Sequence, residues 1–205
     1  MSRPRRSWDS SSGSIAVPRA GLTHDRVVAE AERIADDVGL PRLTLAALAE
    51  RVGVRQPSLY KHIKGMDALQ RSIAIRAKSE LADVLGRAAI GRSRGDAVVA
   101  IAHAYRRWAH EHPGRYAAVQ RAPQPGDADD ERASAAVVNV VADVLAGFDL
   151  AGDDAIDAIR AVRSALHGFV SLEATGGFAL PRDVDRSFDR LVSGVVAAMS
   201  GWHQV

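Results

Sequence analysis

The stretch TLAALAERVGVRQPSLYKHIKGMDAL, residues 44 to 69, reads as two short helices joined by a tight Val-Gly-Val turn. Thr44 is a good N-cap for a helix running to about residue 51, in which Leu45, Leu48, Ala49 and Val52 keep helical spacing and form a stripe to be buried. Gly53, just past the last periodic residue, supplies the left-handed backbone that closes a helix. Pro57 sits where the first turn of a following helix tolerates a missing N–H. The pattern is that of a helix-turn-helix.

The second helix, expected from about residue 56 to 62, has only Leu59 and Ile63 as core anchors. That leaves Arg55, Gln56, Pro57, Ser58, Tyr60, Lys61 and His62 pointing outward. Gln can bond an adenine edge through two hydrogen bonds; Ser, Tyr and His can donate to phosphate oxygens; Lys and Arg can do either. A small solvated helix on an ordinary bundle is the competing reading. An exposed Tyr60 among donors, directly after a glycine turn, argues against it.

The run G-V-x-Q-P-S-L-Y-x-H-I-K resembles the recognition helix of the tetracycline repressor (TetR) family of bacterial transcription regulators, over roughly residues 22 to 70. The resemblance implies that Gln56, Pro57, Ser58 and Lys61 face base edges, while Tyr60, His62 and the helix start at Thr44 hold phosphates. Two positions depart from the tetracycline-repressor subgroup: Ala46 replaces a base-reading Arg, and Met66 replaces a phosphate-binding Lys. A different operator is therefore expected, with Arg42, Arg55 or Lys64 taking part of the contacts.

At 205 residues the chain can bury a substantial core. No run approaches the ~18 apolar residues of a membrane span, and the basic N-terminus has no apolar stretch behind it to make a signal peptide. A cytoplasmic protein without membrane partners is expected. With no cysteine, disulfides, thiolate metal sites and a Cys nucleophile are excluded. Residues 1 to 78 hold 14 Lys+Arg against 8 Asp+Glu, whereas residues 79 to 205 hold 13 against 17, so the positive charge sits beside the helix-turn-helix, as phosphate binding requires. Arg outnumbers Lys 24 to 3, so single arginines are weak evidence by themselves.

Residues 1–20 contain six serines, two prolines and four arginines, and are expected to be a disordered basic arm. Arg3, Arg5, Arg6 and Arg19 either track DNA or belong to a plain solvated tail. A helix capped by Thr23 follows to about Val38, with Val27, Ala31, Ile34 and Val38 on one face and Gly39 and Pro41 as its stop. Another starts near Met66 and keeps Leu69, Ile73, Ala77, Leu81 and Leu85 in register until the Gly-Arg-Ser-Arg-Gly stretch at 91–95. Beyond residue 95 the pattern stays helical: about 96–110, a short helix after His112-Pro113-Gly114, 132–148, 154–175 and 183–202. The segment 122–130 reads as a loop, either a crossing or a lid.

The expected fold is all-α: a basic arm (1–20), a three-helix helix-turn-helix DNA-binding domain (21–68) and a helical effector-binding and dimerisation bundle (69–205). The resemblance implies a ligand-responsive repressor, a homodimer on a palindromic operator in double-stranded DNA, released by an unknown small-molecule effector. His103, Arg106, Arg107 and His110 share one side of the 96–110 helix, either a solvated face or a cavity wall. In the cavity reading His103, Arg106, Trp108, Tyr116, His167 and Phe169 are the ligand-binding candidates, with Phe178 as further lining; otherwise the aromatic residues are core. Leu166, Val170, Phe188, Leu191 and Val195 are the candidates for a dimer interface, although a monomer core explains such stripes equally well.

The segment HGFVSLEATGGF, residues 167 to 178, also resembles a TetR subgroup with a His-Gly pair before Leu-Glu in its regulatory domain. No metal site or cofactor is expected. Ser, His and Asp are present, but no Gly-x-Ser-x-Gly elbow, HExxH or phosphate-cradling glycine loop, so catalytic residues are not expected. An effector-independent DNA-binding protein and, more remotely, a helical enzyme are the alternatives.

Overall fold

The structure is a computed structural model and describes residues 21–202. The basic arm expected over 1–20 lies outside the described residues. Among the described residues there are α-helices and one 3-10 turn, and no strand.

Helix α1 spans His24–Val38, and the Thr23 hydroxyl accepts from the Arg26 N–H at 3.2 Å. Its buried face is Val27, Val28, Ala31, Ile34 and Ala35. Val38, expected on that face, is 46% exposed, because the helix ends there and the chain turns away through Gly39 at φ 91°. A 3-10 turn, Leu40–Arg42, leads to α2, Leu45–Val52, where Thr44 accepts from the Ala47 N–H at 3.1 Å. Gly53 closes α2 in the left-handed conformation (φ 73°, ψ 36°), where a Cβ would be strained.

Helix α3 is shorter than its pattern suggests: regular α-helix covers only Gln56–Leu59. The chain then tightens, with Lys61 and His62 N–H groups bonding to the carbonyls three residues back, at Ser58 and Leu59. Such i→i+3 closure is the usual way a helix end satisfies its last carbonyls.

Helix α4, Met66–Ala89, is 24 residues long, roughly 36 Å at 1.5 Å per residue. Leu69, Ile73 and Ala74 belong to one hydrophobic cluster with α1, α2, Leu59 and Ile63; Ala77, Leu81 and Leu85 belong to a second with the C-terminal helices. One helix thus serves both cores. Helices α5 (Arg94–Glu111), α6 (Pro113–Val119), α7 (Ala128–Ala146), α8 (Gly152–Ala174) and α9 (Val184–Ser200) complete the bundle. The expected 122–130 loop ends at Asp127, whose carboxylate caps α7 by accepting from the Asp130 N–H at 3.3 Å, while Asp129, Asp130 and Glu131 favour a helix start. Among the described residues no helix is long and apolar enough to cross a membrane.

Candidate nucleic-acid interface

The α2–α3 unit is held from behind. Leu59 is fully buried and Ile63 5% exposed, and they seat α3 against Leu48 and α1; burying each contributes ~1.5–3 kcal/mol. With those two turned inward, Arg55, Gln56, Pro57, Tyr60, Lys61 and Lys64 are exposed, while Ser58 and His62 are half-buried. Tyr60 is 56% exposed, a large aromatic in water with no ring partner among the described residues. Thr44, Arg42 and Ala46 are exposed at and near the start of α2.

The charges on this face are unspent. Arg42, Arg55, Lys61 and Lys64 have no ion-pair partner among the described residues. In the same unit Arg33 and Arg51 pair with Glu30, and Arg76 of α4 pairs with Glu32. Free cations beside free hydroxyl and amide donors, on a helix projecting from a rigid base, suit a phosphate backbone and its groove.

Behind this unit, α6 packs onto α1 through Gly114. A Cβ there would lie 2.1 Å from the carbonyl carbon of Ala35, so only glycine fits. Arg115 fixes the contact: its N–H and Nε donate to Asp36 at 2.9 and 2.8 Å, and Nη1 donates to Glu80 of α4 at 2.6 Å. Residues following α6 also grip α4. Arg121 pairs with Asp67 at 3.0 Å, and the buried Lys78 ammonium donates to Asp130 and, at 2.8 Å, to the Arg121 carbonyl. Arg71 pairs with Asp127, holding that carboxyl down to about 2.

Between α4, α5, α7, α8, the end of α6 and the segment after it lies a cavity of about 230 Å³. Leu81, Ile101, Val137, Val141 and Val162 give it apolar walls, and Tyr105, Gln120, Ser134 and Arg163 add polar groups. Burial raises the Tyr105 phenol above its ordinary value, partly offset by the Tyr116 and Gln120 side chains.

None of the sequence-derived ligand candidates lines this cavity. Arg106 is tied to Glu173 at 2.9 Å and to Asp185 at 2.7 Å, and stacks over Phe188 at 4.8 Å. His110 meets the same Glu173 at 2.8 Å, and His103 lies 3.3 Å from Asp189. The Arg106 hydrogen bonds, helped by His110, hold the Glu173 carboxyl below the ordinary range. Trp108 is core, its indole N–H buried without a hydrogen-bond partner. Tyr116 Oη and His167 Nδ1 are 2.6 Å apart, directly behind Tyr105, and burial pushes the Tyr116 phenol up. Phe169 packs against the Phe178 ring at a tilt and meets the Phe188 ring edge-on. The sequence reading missed Tyr105, Gln120, Ser134 and Arg163 as lining.

Of the dimer candidates, Leu166, Val170 and Phe188 are buried in the protomer's own core, and Leu191 and Val195 are half-buried. The outward face of α8 instead carries Ile156 and Leu172, 47% and 51% exposed, with Ser164 and Gly168 between them. A Cβ at Gly168 or at Gly194 of α9 would meet open space. Among the described residues no cluster of three or more His, Asp and Glu could hold a metal ion.

A family model described as the tetracyclin repressor-like C-terminal domain matches residues 98–195. An uncharacterised HTH-type transcriptional regulator of Mycobacterium tuberculosis, Rv0681, is 40% identical over 188 residues, covering 91% of this chain and 85% of that protein. Two solved structures share the fold. A protein of unknown function from Rhodococcus sp. RHA1 superposes with a TM-score of 0.74 at 23% identity, covering 89% of this chain and 98% of the other. A TetR variant from Acinetobacter baumannii AYE in complex with minocycline gives 0.63 at 22% identity, covering 90% and 98%.

Proposed function

Since the chain belongs to the TetR family of helix-turn-helix transcriptional regulators, DNA-binding proteins that act as dimers and are not enzymes, we propose that it is a cytoplasmic, ligand-responsive repressor. Residues 21–68 read a palindromic operator, and a small-molecule effector held in the 69–205 bundle releases it. The observation that carries this reading is the α3 face. Gln56, Tyr60 and Lys61 are exposed and Ser58 is half-buried, over two buried anchors and without ion-pair partners among the described residues.

In this reading Gln56, Pro57, Ser58 and Lys61 contact base edges, while Thr44, Tyr60 and His62 contact phosphates, with Arg55 and Lys64 beside them. The 230 Å³ cavity is the effector site. Lys78 and Arg121 line it and also bind residues at the start of α7 and α4. Gly114 and Arg115 continue the chain of contacts to α1. An occupant that shifts the segment after α6 therefore moves α4 and α1 and changes the spacing of two reading helices. The A. baumannii relative, which holds minocycline, supports an effector in the bundle.

Dimerisation places the outward faces of α8 and α9 against a second copy, with Gly168 and Gly194 allowing close backbone approach and Leu191 and Val195 flanking. The His167-Gly168 pair supports assignment to the subgroup with that motif: His167 bonds Tyr116, and Gly168 opens the face. Selection from a randomised duplex library by mobility shift tests the function. An inverted repeat with half-sites about one helical turn apart is expected; uniform affinity for all sequences would leave an effector-independent DNA-binding protein. Light scattering should show a dimer, and Gly194→Arg a folded monomer.

A further inference from the structure

We propose that the cavity takes a small amphiphilic monoanion, an apolar body ending in one carboxylate, with Arg163 at the mouth as the group that binds the carboxylate. This rests on the reading of the cavity as the effector site and adds the chemical class of its occupant.

The walls set the body. Leu81, Leu85, Ile101, Val141, Val162 and Leu166 form a continuous apolar surface. A space of about 230 Å³ matches roughly eight water-sized groups at ~30 Å³ each. That is below the ~300–1,000 Å³ of drug-sized pockets and fits a medium-length chain or a pair of fused rings.

The charge balance of the lining sets the head group. Three cations, Lys78, Arg121 and Arg163, line the cavity, and no aspartate or glutamate does. Lys78 is neutralised from behind by Asp130, and Arg121 by Asp67. Arg163 has no ion-pair partner among the described residues, and lies close enough to Tyr105 to favour its charged form. Arg163, Val138 and Ala122 are the exposed lining residues, so they mark the mouth. Its guanidinium can grip a carboxylate through two parallel hydrogen bonds while the body lies inside.

A second, independent observation lies in the wall. The Ser134 hydroxyl is buried and has no hydrogen-bond partner in the protein, although a helical serine can usually donate to the carbonyl four residues back. Ser134 belongs to the cavity wall, and an acceptor oxygen that reached its hydroxyl would satisfy it. A cationic ligand is disfavoured by the same lining, since no acid is there to receive it.

The test is isothermal titration of the full chain with octanoate, 2-naphthoate, octanol and octylamine. Octanoate or 2-naphthoate should bind at least about tenfold more tightly than octanol, as a charge-assisted contact implies, and octylamine should be the weakest. The stronger carboxylate distinguishes a chain-like from a ring-like body. Arg163→Gln, at an exposed position, should bring the carboxylates down to the octanol level without changing octanol. Val138→Trp, at the mouth, should abolish binding of all probes. Failure of both carboxylates to bind overturns the class, as does an Arg163→Gln variant that binds them as the wild type does. Octanol binding that Val138→Trp abolishes, with no advantage for the carboxylates, overturns the class and leaves the cavity reading standing. Octanoate binding that Val138→Trp leaves intact overturns both.

Discussion

Helices α3 and α5 each turn a row of polar side chains away from an apolar stripe, yet use them in opposite ways. On and just after α3, Gln56, Lys61 and their neighbours end in water with no ion-pair partner among the described residues. On α5, Arg106 and His110 end on Glu173 of α8, and Arg106 also reaches Asp185 of α9. An outward polar row is thus left free for a partner in one place and is an internal tie in the other. What separates them is whether another element comes close enough to answer the charges.

The buried tie between α4 and α7 should break most severely. Asp130→Ala leaves the Lys78 ammonium, 4% exposed, without its carboxylate; removing one partner of such a pair costs ~3–5 kcal/mol. Denaturant unfolding should show that loss, and the double change Lys78→Met with Asp130→Leu should recover much of it. Recovery would show that the pair specifies geometry more than it adds stability.

Gly114 tests the joint between the two regions. Gly114→Ala forces a methyl into the α1 backbone, an overpacking that costs ~1–3 kcal/mol. Melting temperature should fall, and operator affinity should fall further than that stability loss explains, because α1 supports the reading helix. Unchanged affinity in a variant that remains folded at the assay temperature would remove the joint from the coupling route.

Acid should act on the tied region first. The Glu173 carboxyl is held below its ordinary range by Arg106, and Asp127 is held down to about 2 by Arg71. A carboxyl depressed in the folded state contributes stability that is present above its unfolded value, near pH 4, and is lost as pH falls through the folded value. The protein should therefore lose stability progressively from about pH 4 towards pH 2. Glu173→Gln should be less stable than wild type at pH 7 and lose less on acidification, as followed by circular dichroism. Identical slopes in both proteins would mean that the tie contributes nothing.

The same contrast explains what the sequence could and could not disclose. Thr23, Thr44, Gly53 and Pro57 act on their own neighbours within four residues, so α1, α2 and the turn before α3 were legible, as were Leu59 and Ile63 as anchors. The α4 stripe from Leu69 to Leu85 was legible for the same reason. The partners of α5 were not, because Glu173 and Asp185 lie 67 and 79 residues from Arg106 in the chain. The cavity was equally hidden: its lining comes from five helices and a connecting segment, and Ser134 and Arg163 look like ordinary helix-surface residues in sequence. The early end of α3 depends on how the chain turns to reach Ile63, which spacing alone does not specify.

The free polar face of α3 is proposed to read DNA, whereas the tied face of α5 is not. DNA affinity measured against salt for Tyr60→Ala, Gln56→Ala and Arg106→Ala, on the selected operator and its single-base variants, separates the two. Tyr60→Ala should weaken binding to every sequence and lower the salt slope; Gln56→Ala should lose ~1–3 kcal/mol and relax base choice at one position per half-site. Both should melt as the wild type does, whereas Arg106→Ala should melt lower and keep its base preferences. Wild-type affinity, salt slope and base preference in both variants would mean that this face does not read DNA.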